Sequence, residues 1–232
     1  MIFKPKNKKI EENTIRLYIN DVEIKKVQFT KFLGVTIDDN MSWKQHVNNI
    51  SVKISQTIGV LNRVKSDLPL HIRVQLYNTM ILTHLSYCNI VWGDCANYLL
   101  LQLFRLQKRA IRIISNSSYL AHTHQLFCKL KILKIYDIHT LQTACFMFSY
   151  YMNKLPDTFD GYFITNRIIT KYNTRNSDKL YIPFYRLNFS RTVISHSGPL
   201  VWNNLPPEIK QCPSINSFKR KCKSYLLNNH TS

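Results

Sequence analysis

Residues 32–43 read FLGVTIDDNMSW: a strand-like run, two adjacent aspartates, then a polar stretch that opens a helix. A two-metal centre built on Asp38 and Asp39 would need further carboxylates converging from separate strands. The 13 acidic residues are scattered, and none before Asp38 closes a strongly apolar strand. Neighbouring residues of one strand also point to opposite faces. Asp38, Asp39 and Asn40 stand instead where short polar side chains cap the free amides of a helix start. The stretch therefore reads as strand, capped turn and helix, with neither a catalytic nor a metal-binding residue.

Upstream, TIRLYINDVEIKKV (14–27) alternates Ile15, Leu17 and Ile19 with Arg16 and Tyr18. Asn20-Asp21 suits a two-residue hairpin turn, which sets Ile19 opposite Val22 and Leu17 opposite Ile24. KFLGVTI (31–37) reads as a third strand, with Leu33, Val35 and Ile37 on one face and Phe32, Gly34 and Thr36 on the other. A glycine within such a strand marks a close approach by a ligand or another backbone.

Downstream the period changes. Val47, Ile50, Ile54, Ile58, Leu61 and Val64 recur every three or four residues and form one amphipathic stripe. Residues 66–93 read as a second helix, capped by Ser66 or Asp67, with Pro69 in its first turn and Gly93 at its end. The uncharged span between Arg73 and Asp94 carries too many Asn, Gln, Thr and His residues for a lipid-facing helix. A third helix runs from about Tyr98 to Ile114. Two more follow, the second apolar almost all round and ended by Pro156. Residues 157–190 lose periodicity and read as a linker or extended subdomain. SGPLVWNNLPPEIK (197–210) gives a short helix and a turn. The terminal helix turns Ile215, Phe218, Cys222, Tyr225 and Leu226 inward and a cluster of cations outward. The expected fold class is α+β, mainly α. Its parts are a small antiparallel strand piece (1–40), a helical bundle (41–156) and a C-terminal extended and helical region (157–232).

The chain of 232 residues carries 32 Lys and Arg against 13 Asp and Glu, a formal charge of +19. Such an excess points to a polyanionic partner, most often nucleic acid. The third helix concentrates it. In LLLQLFRLQKRAIRII (99–114), Arg105, Lys108, Arg109 and Arg112 fall within about 100° of one another on a helical wheel. Leu99, Leu103, Leu106, Ala110 and Ile113 form an apolar stripe centred about 130° away. One face packs while the other presents cations that can follow a phosphate backbone.

The six cysteines stand singly, without CxxC, and read as reduced core thiols. His122, His124 and Cys128, or Cys212, Cys222 and His230, match no closed four-ligand zinc spacing. His84 reads as a satisfied core histidine.

Several strings together resemble one family. VQFTKFLGVTIDDNMSWKQHV (27–47) resembles the palm–thumb junction of jockey-like non-LTR retrotransposon reverse transcriptases. FRLQKRAIRII (104–114) resembles the segment beyond their thumb. The tail from Thr174 to Leu227 resembles their C-terminal block with its Trp-Asn-x-Leu-Pro string, here Trp202 to Pro206. Residues 1–3, MIF, resemble a strand shortly after the catalytic loop.

The resemblance implies an RNA-directed DNA polymerase whose catalytic aspartates and Mg lie upstream of residue 1, leaving this stretch with no cofactor of its own. It implies that Phe32, Leu33 and Gly34 hold a primer end, and that the helices track the template–primer duplex. The expected partner is an RNA or DNA duplex bound without sequence preference, with no membrane and an intracellular location, nuclear or cytoplasmic. No polymerase activity is expected in isolation. The alternatives are a basic adaptor or structural protein, derived from such an element, that binds other proteins or a second copy through its exposed palm-edge strands, or a remnant without function.

Overall fold

The computed structural model describes residues 1–3, 16–170, 175–186 and 189–228. Helices dominate, preceded by two small antiparallel strand pairs. β1 (Tyr18–Ile19) and β2 (Val22–Glu23) pair with Ile19 opposite Val22. Asn20 and Asp21, at φ 48° and 61°, make the two-residue turn, and the Ile24 amide donates to the Leu17 carbonyl at 2.8 Å. This is the register the alternation requires. Ile15 lies outside the described residues, and residues 1–3 join no strand.

Residues 31–37 depart from the single strand expected. β3 (Phe29–Phe32) and β4 (Val35–Asp38) form a second hairpin, turning at Leu33 and Gly34 with φ 45° and 83°. The N-terminal piece is thus two separate hairpins instead of three strands. The apolar alternation ran through the turn, because a leucine held at positive φ hides it. Tyr87 explains why the turn holds. Its hydroxyl donates to the Leu33 carbonyl at 2.6 Å, and a Cβ on Gly34 would sit 3.2 Å from its ring.

Asp38 fastens the strand to the helix that follows. Its Oδ1 accepts from the Asn40 and Ser42 amides at 3.1 and 2.8 Å, and its Oδ2 from the Ser42 hydroxyl and the Trp43 amide, each at 3.0 Å. α1 (Lys44–Val64) then buries Val47, Ile50, Ile54, Ile58 and Leu61 of the stripe read from the sequence, with Val64 at its end half-buried, and β4 packs on it. Between them lies His46, 5% exposed, whose Nδ1 accepts the Thr36 amide at 3.3 Å while its ring meets Trp92 edge-on. Burial, and next the nearby Lys53, push its pKa down to about 4.

The span 66–93 is not one helix. α2 (Leu70–Tyr77) starts after Pro69, so neither Ser66 nor Asp67 caps it. A π-helical turn (Asn78–Leu82) widens the helix before α3 (Thr83–Ser86). The chain breaks at Tyr87 and Cys88, the latter at φ 48°, and resumes as α4 (Asn89–Trp92), capped by Gly93. The break releases Tyr87 toward Leu33, and its carbonyl accepts the Trp92 indole N–H at 2.9 Å.

α5 (Asn97–Ile114) packs against α1, α2, α6 (Thr123–Leu130) and α7 (Ile135–Tyr151). Its Gln107 is wholly buried. The Gln107 amide donates at 2.8 Å to both the Tyr77 hydroxyl and the Leu133 carbonyl, and its Oε1 accepts the Ile135 amide at 3.0 Å. One side chain thereby joins three segments.

α7 is the axis for the C-terminal part. It ends at Tyr151, ahead of Pro156, which instead opens a 3-10 turn. α9 (Ile194–Asn204) and α11 (Ile215–Asn228) both pack on α7, and Phe148 stacks on Phe218 at 4.4 Å. α8 (Asn166–Ile169) and α10 (Pro207–Lys210) are single turns. The stretch after Pro156 is not purely a linker, since its residues Phe163 and Leu180 enter the core. α11 buries Phe218, Cys222 and Leu226, and Ile215 and Tyr225 in part. Among the described residues no helix is long and apolar enough to cross a membrane.

Two outcomes follow. Gln107→Leu orphans three buried polar groups and destabilises the fold by about 3 kcal/mol or more in urea unfolding. Adding Tyr77→Phe removes one orphan and recovers about 1 kcal/mol of that loss. For His46, the unfolded imidazole takes up a proton near its ordinary value of 6.5, while the folded one stays neutral down to about 4. Stability therefore falls as pH drops through that window. Chemical denaturation at stepped pH should show His46→Asn flattening the slope by close to one proton.

Candidate nucleic-acid interface

The surface of α5 follows from what its interior demands. The buried residues are Leu99, Leu103, Gln107, Ala110, Ile111 and Ile114, whereas Leu106 and Ile113 are only half-buried. The stripe is therefore rotated from the one expected, because Gln107 turns inward. On the same wheel its centre now lies about 175° from the four cations, almost diametrically opposite. Arg105, Lys108, Arg109 and Arg112 share the outer face. Between Cys95 and Tyr136 there are seven Lys and Arg residues and no Asp or Glu.

The four are not equivalent. Arg105 and Arg109 are exposed, with no carboxylate against them among the described residues. Lys108 is half-buried, its ammonium 4.8 Å above the Phe104 ring. Arg112 donates from Nε to the Ala121 carbonyl at 2.9 Å, and its guanidinium lies 6.0 Å from the Tyr119 ring centre. Arg112 thus braces the loop after α5, with the Ser117 amide returning to the Arg112 carbonyl at 2.9 Å. Sequence reading missed this second duty, since nothing local marks the Ala121 carbonyl as its partner. The Phe104–Lys108 pair, four residues apart on one helix, was available to it.

Phe32, Leu33 and Gly34 sit at the tip of the second hairpin rather than along a strand. Phe32 is 63% and Leu33 74% exposed, so both offer apolar surface outward. The tip is held from behind by Tyr87. This set and the α5 cations occupy different elements, linked through α1, on which both β4 and α5 pack. A further cationic row, Lys219, Arg220, Lys221 and Lys223, is exposed on α11.

The alternative metal sets do not assemble. Among the described residues no three His, Cys, Asp or Glu side chains come together to hold an ion. His122 and His124 are exposed while Cys128 is half-buried; His230 lies outside the described residues. All six cysteines are free thiols. Burial pushes the Cys95 and Cys222 thiols up to about 12 and Cys145 to about 11, so these three are poor nucleophiles. His84 is half-buried, with its pKa lowered by burial and then by Lys53.

The Trp-Asn-x-Leu-Pro string has a packing role. Trp202 is buried and stacks on Tyr151 at 4.6 Å, with the Lys210 ammonium 5.5 Å over its ring. The Asn203 carboxamide pairs with the Leu180 backbone, accepting its N–H at 3.1 Å and donating to its carbonyl at 2.8 Å. Leu205 is buried as well.

This is a basic, mainly helical protein related to the RNA-directed DNA polymerases of mobile elements. The relationship is to the jockey-like type, in agreement with the motifs of its sequence. It is 27% identical over 110 residues to the RNA-directed DNA polymerase from mobile element jockey of Drosophila funebris, covering 46% of this chain and 12% of that protein. It is 25% identical over 122 residues to the polymerase of the same name in Drosophila melanogaster, covering 51% and 13%. A probable RNA-directed DNA polymerase from transposon X-element of Drosophila melanogaster is 21% identical over 124 residues, covering 52% and 14%. The match thus spans only a small part of each curated relative. No family model and no solved structure matches the chain.

Proposed function

We propose that this chain is a nucleic-acid-holding piece of a jockey-like reverse transcriptase, thumb-like in role, that grips a duplex without performing polymerisation itself. The observation that carries this reading is the outer face of α5, with four aligned cations and no carboxylate. Arg105 and Arg109 lie one helical turn apart, about 6 Å along the axis. Each guanidinium presents a planar fork of donors that suits phosphate oxygens. Such contacts position a duplex without reading its sequence. The exposed tip at Phe32, Leu33 and Gly34 offers an apolar rest for a strand end. The relatives' names make RNA-directed DNA synthesis the activity of the larger enzymes. Asp38 here is committed to four hydrogen bonds that build a turn. This supports a piece that holds nucleic acid without performing the chemistry.

A second reading rests on the two hairpins. Leu17, Ile19, Val22, Phe29, Phe32 and Leu33 are all exposed there, apolar side chains on two small hairpins that suit association with another protein or a second copy. An oligomer that persists in high salt without nucleic acid would favour that reading.

Salt titration of duplex binding tests the first. Arg105→Gln with Arg109→Gln should flatten the log–log salt slope by about two units, and adding Lys108→Gln and Arg112→Gln should bring the change to about three to four. A slope that ignores all four substitutions removes the role of this face. Template-dependent nucleotide incorporation by the purified chain would overturn the non-catalytic part of the proposal.

A further inference from the structure

A cleft of about 670 Å³ lies between the broken helical segment of residues 70–92, the Leu130–Leu133 stretch, α7 and α11, and no hairpin residue lines it. Aliphatic side chains form much of its lining, among them Val74, Leu82, Leu133, Ile138, Leu141 and Ile215, with Asn78, Ser86, Gln142 and Asn216 as neutral polar members. The π-helical turn Asn78–Leu82 supplies part of one wall. Such turns cost helical regularity and recur where a helix is shaped for a function. The volume falls within the range of built recognition sites.

The charge around this apolar space has one sign. Among the described residues, Lys131, Lys219 and Lys223 line it and no Asp or Glu does. Lys219 and Lys223 are one turn apart on α11. The Lys223 ammonium is held below its ordinary pKa, first by partial burial and then by Lys219. Two like charges sharing an apolar wall, without a counter-ion from the protein, are complementary to carboxylates supplied from outside.

We propose that this cleft docks an acidic amphipathic helix of another protein. Leucine-like side chains at i, i+3 or i+4, and i+7 fill the cleft, and flanking Glu or Asp residues pair with Lys131, Lys219 and Lys223. A second copy of this chain does not fit as the occupant. No described helix carries more than one carboxylate, so none has the acidic apolar face that the cleft requires. The site is independent of the α5 face.

The test uses fluorescein-labelled helical peptides and anisotropy on the full chain. One peptide carries Leu at the anchor positions flanked by Glu; the control has the same charge with Ser in place of Leu. The Leu/Glu peptide should bind at least about tenfold tighter than the Ser/Glu control. Lys219→Gln with Lys223→Gln should weaken it about tenfold or more, and so should Asn78→Trp, a rim substitution at an exposed position that fills the cleft. Thermal melts check that each variant folds. Equal binding of the two peptides means adhesion to a basic surface and overturns the proposal, as does binding that neither variant changes, or no binding. If Asn78→Trp weakens a 20-base-pair duplex as much as the peptide, the cleft belongs to nucleic acid and the proposal falls. Loss of duplex binding on substitution of Arg105 and Arg109 leaves this outcome unaffected.

Discussion

The buried carboxamide of Gln107 sets the rotation of α5, and the character of its outer face follows from that. A glutamine inside an apolar core is tolerated only when every polar atom finds a partner. Here Tyr77, Leu133 and Ile135 provide three, from α2, the α6–α7 connection and the start of α7. Turning α5 by one residue would bury Lys108 in place of Gln107. That change would strand three hydrogen-bonding groups and desolvate an ammonium. The alignment of Arg105 and Arg109 with solvent is thus fixed from inside the protein.

The same logic governs the second hairpin. Its tip is apolar and exposed, yet it does not collapse onto the core, because Tyr87 and His46 hold it in place. Tyr87 is free to reach Leu33 only because the helix breaks at Cys88, where the backbone enters the left-handed region. The helical break and the strand turn are one interaction seen from two ends of the chain.

Much of this architecture was legible in the sequence. The stripe of α1, the extent of α5, the all-round apolar α7 and the inward face of α11 follow from residues three or four apart. The Asn20-Asp21 turn follows from two adjacent residues. What could not be read depends on distant partners. The Leu33-Gly34 turn needs Tyr87, 54 residues away, and Gln107 needs groups 26 to 30 residues away. The π-helical turn has no local signature at all. At the candidate site the four cations were visible as a row. The Phe104–Lys108 pair could be read from its spacing on the helix, but the bracing role of Arg112 could not, because Ala121 and Tyr119 lie beyond the helix. The C-terminal string of Trp202 to Pro206, conspicuous as a motif, joins α9 to the Leu180 backbone through Asn203 and to α7 through Trp202 on Tyr151.

The central claim is that the outer face of α5 is where this protein meets a duplex. Arginine footprinting tests it most directly: the chain is modified with phenylglyoxal, with and without a saturating 20-base-pair duplex, and read by mass spectrometry. The account predicts strong protection of Arg105 and Arg109 in the complex. Equal modification of both arginines in the free and the fully bound protein would contradict it.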